Sequence, residues 1–179
     1  MLKENEVKHY LLDTNKLTKL LSKKRFLISK SHMYKFSIFY TYCLFYNSED
    51  YRLLKDAVQQ VQPDFYEDFL TVLEKGNIYS PYNMFIMSYS DFETYCSWLF
   101  SILGTVEKKS IFEHYSAQQM RLFGYMAEFL TGVYLKRYRK QTKEIMVNVY
   151  RDDFKNISTF LQVLKNLRSR LIFFVLKYL

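Results

Sequence analysis

Glycine and proline are scarce in this chain of 179 residues, which contains four glycines and two prolines. Average usage is about 7% for glycine and about 5% for proline, so the chain is neither collagen-like nor a flexible linker. No two of the four glycines are closer than eight residues. A glycine-rich phosphate loop needs closely spaced glycines, so loops of the dinucleotide-binding and P-loop kinds are excluded. With 49% hydrophobic residues, the chain is expected to fold around a real core.

The net charge of +8 is concentrated at one end of the chain. Residues 1–135 contain 15 Lys and Arg and 15 Asp and Glu, whereas residues 136–179 contain 11 and 3. A basic tail on a neutral domain indicates one face or helix that meets an anionic surface. The neutral first part argues against nucleic acid as a partner.

Cysteine content and hydropathy bear on where the protein functions. Cys43 and Cys96 are too few for a disulfide framework, which favours a reducing cytoplasm. The longest apolar run covers six residues, 171–176, and a spanning helix needs about 20. No apolar segment follows the first residues, so a secretory signal is not expected. We expect a cytoplasmic protein, with peripheral attachment to the inner face of the membrane as a further expectation.

Apolar periodicity and capping residues predict a mostly helical α/β domain. Helices are predicted over 14–21, 48–61 with Ser48 as cap, 64–75 ended by Gly76, 90–107 with a capping box at Ser90, 116–138 with a second box at Ser116, and 153–178. Strands are predicted over 26–28, 79–87 and 145–150. Residues 33–45 are predicted to be helical, with a strand as the alternative.

Three polar residues stand in apolar elements. Asn83 lies in the predicted strand 79–87, and Arg121 and Glu128 share one face of the predicted helix 116–138 because they are seven residues apart. Together they are compatible with a polar pocket for a hydroxyl-rich ligand. From spacing alone, an ordinary buried hydrogen bond and a surface ion pair explain them better. The three histidines are isolated from one another, so no metal site is predicted.

The C-terminal helix is amphipathic. Its apolar residues recur at steps of three and four: Phe160, Leu164, Leu167, Leu171, and Phe174 or Val175. Arg168, Arg170 and Lys177 flank this seam. The helix either packs on the domain with its cations in solvent, or lies in a membrane interface. In the second case Phe174 enters the lipid and the three cations contact acidic head groups.

Residues 83–103 resemble a known family. Asn-Met-Phe-Ile-Met at 83–87 and Tyr-Cys-Ser-Trp-Leu-Phe at 95–100 are similar to motifs of the bacterial glycosyltransferases of capsular and exopolysaccharide biosynthesis, a family long described as a domain of unknown function. Arg-Leu-Phe-Gly at 121–124 matches a third motif, and Tyr42 to Asp50 resembles an upstream region that ends in Asp. The resemblance covers roughly residues 25–136.

The resemblance implies transfer of a sugar, of the hexosyltransferase type, from a nucleotide-sugar donor to a glycan acceptor. It implies a partial nucleotide-sugar glycosyltransferase domain, GT-A-like, over residues 1–138, followed by a basic extension over 139–179 with the amphipathic helix. Its implied substrate contacts are Asn83, Arg121 and Trp98, and its implied catalytic carboxylates are Glu128 and Asp50. No cofactor motif is recognisable; the resemblance is compatible with a divalent metal in an intact family member.

The chain departs from the family pattern at three places. Tyr46 stands where a His is expected, Phe129 replaces an Arg, and most of the N-terminal nucleotide-binding half is not found. These departures are compatible with a truncated or degenerate member, one part of a split enzyme whose partner is the missing half, or an inactive paralogue. The alternative function is a non-catalytic module that binds a membrane surface or a partner protein.

Overall fold

The computed structural model describes residues 14–110, 115–116, 119–145 and 159–178. Within them, helices and short strands alternate, and helix dominates, which confirms the predicted mostly helical α/β class. The helices are α1 Thr14–Leu21, α2 Ile38–Cys43, α3 Ser48–Val61, α4 Tyr66–Phe69, α5 Tyr89–Glu107, α6 Leu122–Arg137 and α7 Thr159–Tyr178. The strands are β1 Phe26–Ser29, β2 His32–Met33, β3 Ile78–Tyr79, β4 Phe85–Ile86 and β5 Thr142–Ile145.

Strand β1 forms the centre of a three-stranded sheet and is buried along its whole length. It pairs antiparallel with β4, where Leu27 faces Ile86, and parallel with β5, where Leu27 faces Lys143. A strand covered on both faces is apolar throughout, as Phe-Leu-Ile is here. The last strand was predicted at 145–150; the structure has β5 at Thr142–Ile145, and 146–150 lie outside the described residues. Strand β5 brings residues from the segment 139–179 into this sheet.

The predicted strand 79–87 is wrong in its middle. The structure has two short strands, β3 and β4, which belong to different sheets, since β3 pairs with β2. Tyr82 and Asn83 separate them with φ angles of 78° and 46°. This left-handed region is sparsely populated by residues other than glycine, and a chain that enters it twice leaves the extended strand conformation.

The predicted helices are confirmed, with shifted ends. Asn47 rather than Ser48 caps α3, because its side chain accepts the Glu49 N–H at 3.0 Å. Ser88 rather than Ser90 caps α5. The predicted reciprocal box before α6 is confirmed. The Ser116 N–H donates to Gln119 Oε1 at 2.8 Å, and the Gln119 N–H donates to Ser116 Oγ at 3.3 Å.

Segment 33–45 is helical only in α2, which Ser37 caps. Segment 63–74 is one continuous helical stretch, in which a 3₁₀ turn, Pro63–Phe65, leads into α4 and a π turn, Leu70–Glu74, follows it. Gly76 ends this stretch as predicted. A side chain there would collide with the carbonyl oxygen of Val72, so the close approach requires glycine.

Aromatic side chains make up much of the core between the sheet and helices α5 and α6. The Tyr134 ring contacts Phe26 from β1, Phe65, and Trp98 from α5, with ring centroids 6.5, 5.9 and 5.1 Å away. Such edge and offset contacts each add about 0.5–1.5 kcal/mol beyond burial. The high aromatic content therefore mainly builds the interior that holds β1 against α5 and α6.

Helix α7 was predicted from residue 153; the structure describes it from Thr159, and 153–158 lie outside the described residues. It lies near β2. Ser169 is buried, and Ile172 and Phe173 are half-buried, so this side of α7 faces the protein. Among the helices the structure describes, none is both long enough and apolar enough to cross a bilayer.

Candidate functional site

The turn between β3 and β4 carries the backbone strain of the described residues. Among the described residues, Tyr82 and Asn83 in this turn are the two non-glycine residues with positive φ angles. Strain of this kind costs about 1–3 kcal/mol per residue, and it persists where surrounding contacts hold it. Such conformations cluster at ligand-binding and catalytic sites, so this turn is the starting point for a candidate site.

Glu128 on α6 holds the turn from one side. The Tyr82 backbone N–H donates to its carboxylate, and Glu128 is half-buried. Burial raises the pKa of Glu128, whereas the Tyr82 N–H and the positive charge of Arg121 lower it. Together these effects raise the pKa of Glu128, which makes its carboxylate a stronger proton acceptor.

Asn83 is held by a buried relay of hydroxyl groups. The Thr131 hydroxyl shares its proton between Asn83 Oδ1, at 2.9 Å, and the Ala127 carbonyl of its own helix, at 2.7 Å. The Tyr95 hydroxyl lies 2.6 Å from the same Thr131 oxygen. Thr131 and Tyr95 are both buried. Among the described residues, Asn83 Nδ2 donates to the Gly124 carbonyl alone, at 3.5 Å, which is a weak hydrogen bond. The relay therefore fixes the amide with its NH₂ end available to a ligand.

Two stacked tyrosines lie beside the carboxylate. The Tyr34 and Tyr79 rings stack with centroids 5.2 Å apart, and their hydroxyl groups are hydrogen-bonded. Burial raises the pKa of both, and the negative charge of Glu128 raises it further. Both therefore remain neutral hydroxyls, able to donate to or accept from a sugar hydroxyl.

Arg121 adds a cation to this surface. Its side chain is exposed, and its guanidinium lies over the Tyr125 ring, 5.5 Å from the centroid. Because its charge lowers the pKa of Glu128, the two residues act on one face, as their spacing predicts. We call Asn83, Arg121, Glu128 and the Tyr82 turn the Asn83–Glu128 site.

Trp98, a predicted substrate contact, lies in the core outside the Asn83–Glu128 site. It is 6% exposed and packs in the core on Phe65, with ring centroids 4.8 Å apart. Its ring also stacks on Tyr95, at 6.3 Å. Trp98 thereby packs against the tyrosine that begins the relay to Asn83, and its substrate contact stays a prediction.

Asp50 lies in the first turn of α3, and its predicted catalytic role stays a prediction. It is 3% exposed and accepts a short hydrogen bond from the Tyr115 hydroxyl. Burial raises the pKa of Asp50, against the effect of that bond. A carboxylate enclosed in this way anchors Tyr115 to the first turn of α3, which is a structural task.

The predicted membrane contacts on α7 are exposed where their side chains are described. Arg168 and Arg170 are exposed, and Phe174 is 63% exposed; the side chain of Lys177 lies outside the described residues. The predicted apolar seam is the outward face of α7, with Leu164, Leu167 and Leu171 all exposed. Packing of this seam on the domain is therefore excluded for the described side chains.

Sequence reasoning missed the residues that orient the site. Tyr82, Thr131 and the Tyr34–Tyr79 pair lie outside the recognised motifs, and Tyr95 belongs to the motif at 95–100 without being singled out by it. The one available signal is Asn83 itself, because asparagine tolerates the left-handed region better than most residues. Across the described ranges, no group of three or more His, Cys, Asp or Glu could hold a metal ion.

One family model and one solved structure are similar to this chain. The family model for a domain of unknown function, DUF4422, matches residues 2–162. The apo structure of WbbM, a bifunctional glycosyltransferase, matches with a TM-score of 0.71 and 22% identity, over 86% of this chain and 30% of that one. The likeness shows a shared fold, and the chain spans less than a third of that protein. No curated protein matches the sequence.

Proposed function

Because the chain belongs to the DUF4422 family, we propose that it is a glycosyltransferase-like protein that transfers a sugar from a nucleotide-sugar donor in capsular or exopolysaccharide synthesis. Its fold is shared with part of a bifunctional glycosyltransferase, which supports the class. Since the chain spans 30% of that protein, partnership with a further nucleotide-binding part belongs to the proposal. The proposal also divides the chain into a glycosyltransferase-like unit over 1–138 and a basic extension over 139–179.

The observation that carries the proposal is the Asn83–Glu128 site. A strained turn, a half-buried carboxylate of raised pKa and an exposed guanidinium meet on one face of α6. Glycosyl transfer needs these groups: a base for the acceptor hydroxyl, a cation for the leaving phosphate, and donors for sugar hydroxyls.

The proposed reaction is a displacement at the anomeric carbon of the donor. Glu128 accepts the proton of an acceptor hydroxyl, whose oxygen forms a bond to that carbon. The bond from the carbon to the phosphate oxygen breaks, and the nucleoside diphosphate leaves with the electron pair. Arg121 stabilises its negative charge, and the Asn83 amide binds a sugar hydroxyl.

Titration calorimetry with a panel of uridine, guanosine and thymidine diphosphate sugars tests this proposal, with and without Mn²⁺. The full chain should bind at least one sugar nucleotide, and Arg121→Ala should weaken binding roughly ten-fold because a charge-assisted bond is lost. Glu107→Gln, an exposed change on α5, is the control for Glu128→Gln. Absence of binding by the folded chain to the whole panel would refute donor recognition.

A second function is supported by the outward face of α7: attachment to a membrane surface. Because successive helix residues turn by about 100°, Arg168 and Arg170 lie on opposite flanks of the exposed Leu167–Leu171 seam. An apolar stripe between cations matches the boundary of acidic lipid head groups and acyl chains. Attachment through α7 would place a sugar-transfer site beside membrane-bound glycan acceptors.

Flotation with vesicles of phosphatidylglycerol and phosphatidylethanolamine tests the attachment. The full chain should float with acidic vesicles at low salt, and Arg168→Glu with Arg170→Glu should abolish this. Lys16→Glu with Lys19→Glu reverses the same number of exposed charges on α1 and should leave flotation unchanged. Equal flotation of both double variants would contradict the assignment to α7.

A further inference from the structure

A cavity of about 290 Å³ lies at the C-terminal end of α2, outside the Asn83–Glu128 site. Cys43 to Asn47 form one side, and Ser116 and Gln119 from the capping box before α6 form the other. Its size approaches the lower end of small-molecule sites, about 300 Å³. No Asp, Glu, Lys or Arg is among the described residues that line it.

The two amide side chains of the cavity are pre-oriented by helix caps. Asn47 Oδ1 is held by the Glu49 N–H, and Gln119 Oε1 by the Ser116 N–H, at 3.0 and 2.8 Å. Each amide oxygen therefore points toward the backbone of the helix cap to which it belongs. Among the described residues, neither amide nitrogen has a hydrogen-bond acceptor. The cavity thus offers two fixed NH₂ donors without a fixed charge.

Aromatic contacts join the cavity to the Asn83–Glu128 site. Tyr46, which lines the cavity, packs on Tyr125 with ring centroids 4.6 Å apart. Arg121 lies over the same Tyr125 ring. Tyr125 precedes Glu128 by three residues, about one turn of α6. Tyr125 therefore links the cavity to the turn of α6 that carries the carboxylate.

We infer that the cavity is a subsite for a neutral sugar unit of the glycan acceptor. Uncharged amide donors, a serine hydroxyl and a tyrosine ring are the groups that recognise the hydroxyls and the apolar face of a pyranose. The acceptor role rests on the proposed function; the binding of a pyranose in this cavity does not.

Two conservative variants test the subsite without removing the caps. Asn47→Asp and Gln119→Glu keep the oxygen that each cap needs and replace only the NH₂ donor. The probes are the methyl glycosides of galactose, glucose and N-acetylglucosamine, added to the full chain. Binding is followed by ¹H–¹⁵N chemical shifts at the amides of Tyr46, Asn47 and Gln119. Gln59→Glu, exposed near the other end of α3, is the matched charge control.

We expect saturable shifts with at least one glycoside, weakened roughly two- to ten-fold by each cavity variant, as the loss of one hydrogen bond predicts. The control should bind like the parent. Shifts that are absent at up to 50 mM glycoside (about the weakest binding such a site would show), or that both variants leave unchanged, would overturn the subsite.

The same samples separate this inference from the proposed function. Nucleotide-sugar binding should be sensitive to Arg121→Ala and insensitive to both cavity variants. Glycoside binding in the cavity without any nucleotide-sugar binding would leave the subsite standing and refute donor recognition. Nucleotide-sugar binding without glycoside binding in the cavity would refute the subsite alone.

Discussion

Thr131→Val removes the hydroxyl at the centre of the relay that holds Asn83. Valine keeps the shape of the side chain, so the change isolates the loss of the hydrogen bonds. Thr131 is 4% exposed, and the Tyr95 hydroxyl that meets it is equally enclosed. In the variant the Tyr95 hydroxyl loses this hydrogen-bond partner, whereas the amide oxygen of half-buried Asn83 bonds to water instead.

A buried hydroxyl left without its partner costs about 1–3 kcal/mol, so we expect the free energy of unfolding to fall by about 2 kcal/mol. For a chain of this size that corresponds to a drop in melting temperature of about 4–8 °C. Urea denaturation followed by circular dichroism measures the change. Thr94→Val removes an exposed hydroxyl on α5 that bonds only its own helix, and it should stay within about 0.5 kcal/mol of the parent.

Tyr95→Phe completes a double-mutant cycle. Once Thr131 is valine, Tyr95→Phe removes the stranded hydroxyl, so the double variant should be about 1 kcal/mol more stable than the sum of the single effects predicts. Strict additivity, or a Thr131→Val variant as stable as the Thr94→Val control, would show that the relay does not support Asn83.

Three further predictions concern buried polar groups. Folding raises the pKa of Glu128, so Glu128→Gln should increase the free energy of unfolding at pH 7 while abolishing function. This gain should vanish as the pH falls below the pKa of the unfolded state, about 4.3, and melting temperature measured against pH tests it. The hydrogen bond from Arg25 lowers the pKa of Asp91, so Asp91→Asn should destabilise the folded protein at pH 7. In the same measurement this loss should fade below about pH 4, as the pH falls through the lowered pKa of the folded state. The Tyr51 hydroxyl is buried without a partner among the described residues, so Tyr51→Phe should hold or raise stability by up to about 1 kcal/mol in urea denaturation; a clear loss would reveal a partner for that hydroxyl.

Local signals in the sequence predicted the helices well. The box at Ser116 and Gln119 and the stop at Gly76 depend on residues within one or two turns, and both are confirmed. The spacing of Arg121 and Glu128 correctly placed both on one face for the same reason.

Long-range contacts decided the features that could not be predicted. The aromatic and aliphatic content of 79–87 favoured one strand there. The Glu128 carboxylate, more than 40 residues away, accepts the Tyr82 N–H at the left-handed turn that divides this segment. Trp98 belongs to a recognisable motif, but burial, which a motif does not encode, assigns it to the core. The outward orientation of the α7 seam likewise depends on how α7 lies near β2.

A crystal structure of the full chain with a bound nucleotide sugar tests the central claim most directly. The account predicts density for the sugar within hydrogen-bond distance of Asn83 Nδ2 and the Glu128 carboxylate, with the diphosphate beside Arg121. Density for the sugar nucleotide elsewhere on the molecule, with these three side chains unengaged, would contradict it.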